Sequence, residues 1–207
     1  MTTILVTGFG PFSAAPFNPT GPLVEGLARL RRPALADVTI VPYVFETSYA
    51  AVDRELPRLL TRHKPDALLM FGLAPRANTL RIETRARNAV ALLSDVSGKT
   101  LLRNSIVRGG PPALIIPAQA RRLFATVRTT RIPVLLSRDA GRYLCNYLCW
   151  RASEAAARKE LRLAAFVHVP PIARTVRRPD KRKALTLDNL SSAASQLLLA
   201  VAAAARR

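Results

Sequence analysis

Short apolar runs alternate with stretches of helical spacing along almost the whole chain, and this alternation is what most restricts the fold. Residues 3–7 (TILVT), 37–45 (DVTIVPYVF), 67–71 (ALLMF), 132–137 (IPVLLS) and 163–173 (LAAFVHVPPIA) read as strands. Continuous apolar runs of this length mark strands covered on both faces. Between them, Leu23, Val24, Leu27 and Leu30 follow a helix start at Asn18 or Thr20, and SYAAVDRELPRLLTRH has helical period with a kink expected at Pro57. Residues 117–130 predict a helix with Pro117 in its first turn, and LTLDNLSSAASQLLLAVAAAARR predicts a last one. Strand, helix, strand in succession requires right-handed crossovers, hence a mostly parallel sheet with helices on both faces. Pro42 should end the second strand or hold it at an edge. LRIETRARN (80–88) alternates Ile82, Thr84 and Ala86 against Arg81, Glu83, Arg85 and Arg87, which predicts a half-exposed strand with Glu83 on its outer face. From SDVSGKT through RGGPP (94–112) the signals are those of a loop, with a hairpin left open. No repeat or linker divides the 207 residues, so one domain over 1–207 is expected.

Charge narrows the function classes less than its size suggests. Lys+Arg number 32 against 13 Asp+Glu, a formal +19, which would suit an acidic partner. The arginines are scattered, however; only 174–183 (RTVRRPDKRK) forms a run, and with 6% aromatics there is no base-stacking platform beside it. Binding to nucleic acid is therefore expected to be at most nonspecific. The two cysteines, Cys145 and Cys149, stand i,i+4 on one helix, about 5 to 6 Å apart, too far for a disulfide. Reduced thiols and a cytoplasmic location follow. MTTILVTGFG has neither the basic leader nor the long apolar core of a signal peptide, and LLLAVAAAA (197–205) is about half the ~20 residues of a membrane span, so no membrane is expected as partner.

In open α/β sheets, ligands bind beyond the carboxyl ends of the strands, and four features fall there. The loop Gly8 to Phe12 follows the first strand. In SRDAGRYLCNYLCW (137–150) a strand ends, Gly141 makes a tight turn and a helix begins, so Cys145 meets unpaired N–H groups and the positive end of a helix dipole, a setting that favours thiolate. His168 closes AFVHVP, and Glu83 lies in LRIETRARN. A cysteine, a distant histidine and a carboxylate suit nucleophilic acyl transfer: His168 would deprotonate Cys145 and later protonate the leaving amine, with Glu83 orienting the imidazole. Each residue also has an ordinary structural use. Cys145 can be packing material, His168 a satisfied core histidine and Glu83 a surface partner for its arginine neighbours; His63 reads as a solvated cap. No His, Cys or carboxylate set has metal-ligand spacing, and Gly8, Gly10, Gly109 and Gly110 make no phosphate loop, so no metal or other cofactor is called for.

Taken together, TGFGPF with Asn18-Pro19, the acid in RIETRARN, GGP at 109–111, AGRYLCN at 140–146 and FVHVP at 166–170 resemble the pyroglutamyl peptidase I (pyrrolidone-carboxylate peptidase) family, in order and over almost the whole chain. The resemblance implies a cysteine peptidase of the cytosol that removes an N-terminal pyroglutamate. It also implies a three-layer α/β/α sandwich, often a homotetramer. Carried over to matching positions, it makes Cys145 the nucleophile, His168 the base and Glu83 the acid, with Phe9, Phe12, Asn18 and Tyr143 in the pyroglutamyl pocket. A flat, uncharged lactam suits aromatic walls with a few hydrogen-bond partners. The chain departs from the family pattern at Ser13-Ala14, Leu73, Pro75-Arg76 and Thr84, and ALLSDVSG (91–98) lacks the arginine that members carry near the reacting carbonyl. Arg142 is a candidate replacement. These departures leave two alternatives: a weakened or inactive member that binds pyroglutamyl peptides without cleaving them, and a basic nucleic-acid-binding protein.

Overall fold

The computed structural model describes residues 1–13, 15–173 and 185–206; the basic run at 174–183 lies outside the described residues. The elements are β1 (Thr2–Phe9), α1 (Thr20–Ala28), β2 (Val38–Phe45), α2 (Tyr49–His63), β3 (Ala67–Leu73), β4 (Leu80–Glu83), β5 (Arg85–Arg87) and β6 (Ala113–Ile115), then α3 (Ala120–Arg128), β7 (Val134–Ser137), α4 (Leu144–Ala157), β8 (Leu163–Val169) and α5 (Leu187–Ala205). Six strands form one sheet in the order β2-β1-β3-β8-β4-β7, parallel except where β4 meets β8, and β5 and β6 make a separate ribbon. Helices α1, α3 and α5 pack together on one face, α2 and α4 on the other. This is the mostly parallel, three-layer α/β architecture.

The inner strands β1, β3 and β8 are buried along nearly their whole length, as their uninterrupted apolar runs require. Each fully buried Leu, Ile or Phe among them contributes about 1.5 to 3 kcal/mol. Pro42 sits in β2, and β2 is an edge strand, where a missing N–H costs no ladder bond on the open side. Ser48 caps α2 by accepting from the Ala51 N–H at 3.2 Å, and the helix runs through Pro57 to end on Lys64 in the left-handed region.

Three local expectations are corrected. IPVLLS is not a buried strand: β7 is the far edge of the sheet, with Leu135 and Leu136 each 39% exposed. Helix α3 begins at Ala120 rather than at Pro117, because Gln119 takes a left-handed conformation that the helix cannot include. Over 94–112 the chain is a loop, as its signals predict, and the hairpin left open does not form. LRIETRARN is two strands, since the Thr84 N–H and hydroxyl both donate to Ser137 O at 2.8 Å while Thr84 O accepts from Ile116, turning the chain out of the main sheet into the β5–β6 ribbon. Glu83 is consequently not on an outer face. It is fully buried, at 0% exposure, because the face that reads as solvent-facing is one of two covered faces of a central strand.

Candidate active site

Register brings the site together. Gly72 of β3 pairs with His168 of β8, and His168 pairs on its other side with Arg81 of β4, so these three residues form one row across the sheet. A Cβ at Gly72 would stand 2.7 Å from Cys145 Sγ and 2.6 Å from Phe166 Cζ, so only glycine leaves room for the sulfur above this row. The cysteine arrives there from α4, whose N-cap is Tyr143, making Cys145 the second helical residue. Gly141, at φ +83°, provides the turn into the helix. No side chain caps α4, so the N–H groups of its first turn are not taken by a cap. Cys145 is half-buried and Cys149, one turn on, is fully buried.

His168 is 6% exposed, and its Nδ1 lies 2.8 Å from Glu83 Oε1. The other carboxylate oxygen, Oε2, has no hydrogen-bond partner among the described residues. A buried carboxylate is costly unless a cation pairs with it, and here the imidazole is the group in place to do so. Burial alone would lower the His168 pKa. The Cys145 sulfur and the Glu83 carboxylate beside the ring outweigh that and push it up to about 9. The arrangement therefore keeps the imidazole protonated at neutral pH beside the sulfur. Burial pushes the Cys149 thiol well above its usual range, leaving it an inert packing group.

A cavity of about 400 Å³ opens over the sulfur, and Phe9, Phe12, Asn18 and Tyr143 all line it. Phe9 is buried against Phe45, with ring centroids 5.9 Å apart, and Tyr143 stands edge-on to Tyr49 at 5.9 Å. Asn18 is largely occupied by the protein itself: its Nδ2 donates to Gly10 O at 3.1 Å, and its Oδ1 accepts from the Thr20 N–H at 3.1 Å and hydroxyl at 2.9 Å. It fixes the shape of the loop after β1. Arg142 is exposed and also lines the cavity.

Several residues that complete the site were not singled out from the sequence. Thr47 lines the cavity and donates to Gly10 O at 3.1 Å. Asn146 is fully buried; its Oδ1 accepts from Arg87 N at 2.8 Å, and its Nδ2 donates to Arg87 O at 2.8 Å and Ala89 O at 3.0 Å, clamping the start of α4 to the chain just after Glu83. Asp95 accepts from the N–H groups of Tyr49, Ser97 and Lys99. Burial opposes its ionisation, but the Ser97 hydroxyl and these amides together hold its pKa below the usual carboxylate range. Its loop thereby presents Ser94 O to the Tyr143 hydroxyl at 2.9 Å. The signal for Asp95 was available: Asp followed two and three positions later by Ser and Gly is a side-chain-stabilised turn.

The pyroglutamyl peptidase family model matches residues 2–207 of this chain. The chain belongs to the pyroglutamyl peptidase family. Among its relatives, the pyrrolidone-carboxylate peptidase of Pyrococcus furiosus is 31% identical over 171 residues, 82% of this chain and 81% of that protein. Pyrrolidone-carboxylate peptidase 1 of Ralstonia nicotianae is 31% identical over 172 residues, 82% of this chain and 79% of its own length. The solved structure of the pyrrolidone carboxyl peptidase from Thermococcus litoralis superposes with a TM-score of 0.85 at 25% identity, covering 97% of this chain and 93% of the other. As a pyroglutamyl peptidase family member the chain is a hydrolase, a peptidase of the cysteine type. Among the described residues, no helix is long and apolar enough to cross a membrane.

Proposed function

We propose that this protein hydrolyses the amide bond that follows an N-terminal pyroglutamyl residue, with Cys145 as nucleophile, His168 as general acid and base, and Glu83 holding the imidazole. The observation that carries this reading is the buried 2.8 Å contact between His168 Nδ1 and Glu83 Oε1, with the Cys145 sulfur over Gly72, the residue paired with His168 in the sheet. Glu83 accepts from Nδ1–H, so the proton exchanged with sulfur and substrate is carried at Nε2. The thiolate attacks the scissile carbonyl and forms a tetrahedral oxyanion. As that intermediate collapses, the C–N bond breaks, the amine takes the proton from Nε2, and a thioester to Cys145 remains. Water then gives a proton to the now neutral imidazole and attacks the thioester, releasing pyroglutamate and restoring the thiolate and imidazolium.

The uncapped first turn of α4 offers N–H groups to the oxyanion, and Arg142 adds a positive charge at the mouth of the cavity. Phe9, Phe12 and Tyr143 make apolar walls for the lactam ring, and Asn18 stands among them as a polar contact. Reduced cysteines support a cytoplasmic setting, and exposed Leu92, Leu102 and Ile115 supply apolar surface for a homo-oligomer.

The test is release of aminocoumarin from its pyroglutamyl derivative. Release by the unaltered protein and loss of release in Cys145→Ser are the expected results. Equal rates for the two proteins would overturn the mechanism. Tight calorimetric binding of a pyroglutamate analogue with no release would replace the peptidase reading by that of a noncatalytic binder.

A further inference from the structure

Arg81 has no part in the chemistry described above, yet it lines the same cavity. Opposite His168 in an antiparallel pair, its side chain leaves the sheet from the same face as the imidazole. Glu83 shares that face but sits one pleat deeper, beyond the Ile82–Val167 pair, which leaves Arg81 at the rim. On the other flank of His168 is Gly72, with the sulfur above it. The strand order β1-β3-β8-β4 therefore sets Phe9, at the end of β1, and Arg81, on β4, on opposite sides of the reacting pair. An acyl group held by the aromatic walls would react at sulfur, its amine would be protonated at His168, and whatever follows the amine would extend toward β4.

Among the described residues the guanidinium has no partner there. Among these residues, Arg81 Nε is buried with no hydrogen-bond acceptor, and the side chain makes no ion pair. Buried donors in native proteins are nearly always satisfied, so an unpaired one on a side chain that lines a substrate cavity marks a guanidinium to which a ligand supplies the acceptor. Leu73, Ala74 and Pro75 line the same cavity, and an apolar surround strengthens any charge pairing made within it. The planar fork of an arginine fits a carboxylate through two parallel hydrogen bonds.

Resting on the hydrolysis proposed above, we infer that Arg81 forms a carboxylate-binding subsite on the leaving-group side, favouring pyroglutamyl substrates whose leaving amino acid carries a free carboxylate. That carboxylate is either the α-carboxylate of a pyroglutamyl dipeptide or the side chain of an acidic residue. The experiment compares kcat/KM for pyroglutamyl-alanine, pyroglutamyl-alanine amide and pyroglutamyl-glutamate α-amide in the unaltered protein, Arg81→Gln and Arg81→Lys. A preference of about tenfold or more for a carboxylate-bearing peptide over the neutral amide is expected, and the preferred peptide identifies the source. The ratio should fall toward one in Arg81→Gln and to an intermediate value in Arg81→Lys. Equal rates on all three peptides in the unaltered protein would overturn the subsite, whether or not the variants fold. So would an equal loss on all three in Arg81→Gln, which would move the guanidinium to the reacting carbonyl instead. Should neither these peptides nor the aminocoumarin be cleaved, it is the hydrolysis that fails; calorimetry with the same three peptides then decides the subsite, with tighter binding of the carboxylates supporting it and equal binding overturning it.

Discussion

Replacing Gly72 by alanine tests the packing that places the sulfur. The added Cβ would stand 2.6 Å from Phe166 Cζ and 2.7 Å from Cys145 Sγ, against ordinary contacts that begin near 3.4 Å, an overlap of up to 0.8 Å (3.4 − 2.6). Phe166 is fully buried and its ring packs edge-on against that of His168, with centroids 4.9 Å apart. If the phenyl ring yields, the imidazole moves with it; if the sulfur yields, the nucleophile leaves its place. Misplacing a reacting group by ~1 Å costs about 100-fold in rate. Overpacking of this kind costs about 1 to 3 kcal/mol, or roughly 2 to 12 °C in Tm for a chain of this size. The measurements are kcat/KM on pyroglutamyl-aminocoumarin, the rate of Cys145 alkylation and a thermal melt. Full activity with an unchanged Tm in Gly72→Ala would refute the claim that the sulfur rests on a bare backbone.

Glu83→Gln should lower kcat/KM by about 100-fold to 10,000-fold, by analogy with losing the carboxylate that orients a catalytic histidine. Because the carboxylate helps to raise the His168 pKa, its loss should also move the basic limb of the pH profile to lower pH; an unmoved limb would show that the two groups do not interact. Brief treatment with iodoacetamide at neutral pH should add one carboxamidomethyl group, on Cys145, and leave the buried Cys149 unmodified, as peptide mass spectrometry would show. The His168 pKa is raised from 6.5 to about 9, so the stability it contributes is complete below pH 6.5 and lost as pH rises through about 9. The difference in unfolding free energy between the unaltered protein and His168→Gln should accordingly shrink from pH 6 to pH 9.5, and a difference that grew with pH would contradict the ion pair.

The strands β1, β3 and β8 are legible in the sequence because burial on both faces leaves an uninterrupted apolar run, a signal carried by neighbouring residues alone. The turn at Gly141 and the helix carrying Cys145 are legible for the same reason, as are the motifs that hold Cys145, His168 and the phenylalanine loop. Glu83 was misjudged because alternation with arginines is the pattern of a solvent-facing strand, and nothing local tells which face a helix will cover. The break at Thr84 is invisible in the sequence because the two hydrogen bonds it donates go to Ser137 and the one it accepts comes from Ile116, both far along the chain. Asn146 lay within a recognised motif, yet its role appears only where its amide meets the backbone of residues 87 and 89.

Local order along the chain thus determined which segments pair into a sheet, which cover it, and which side chains carry reactive chemistry. The tertiary structure alone decided that Gly72, His168 and Arg81 share one row, that the sulfur sits over the bare position, and that a guanidinium with no partner among the described residues lies on the far side of the imidazole. The physical reason is register: the side-chain period of a strand is two, so the face and level at which distant residues meet are set by pairing between strands, a quantity that no single segment contains.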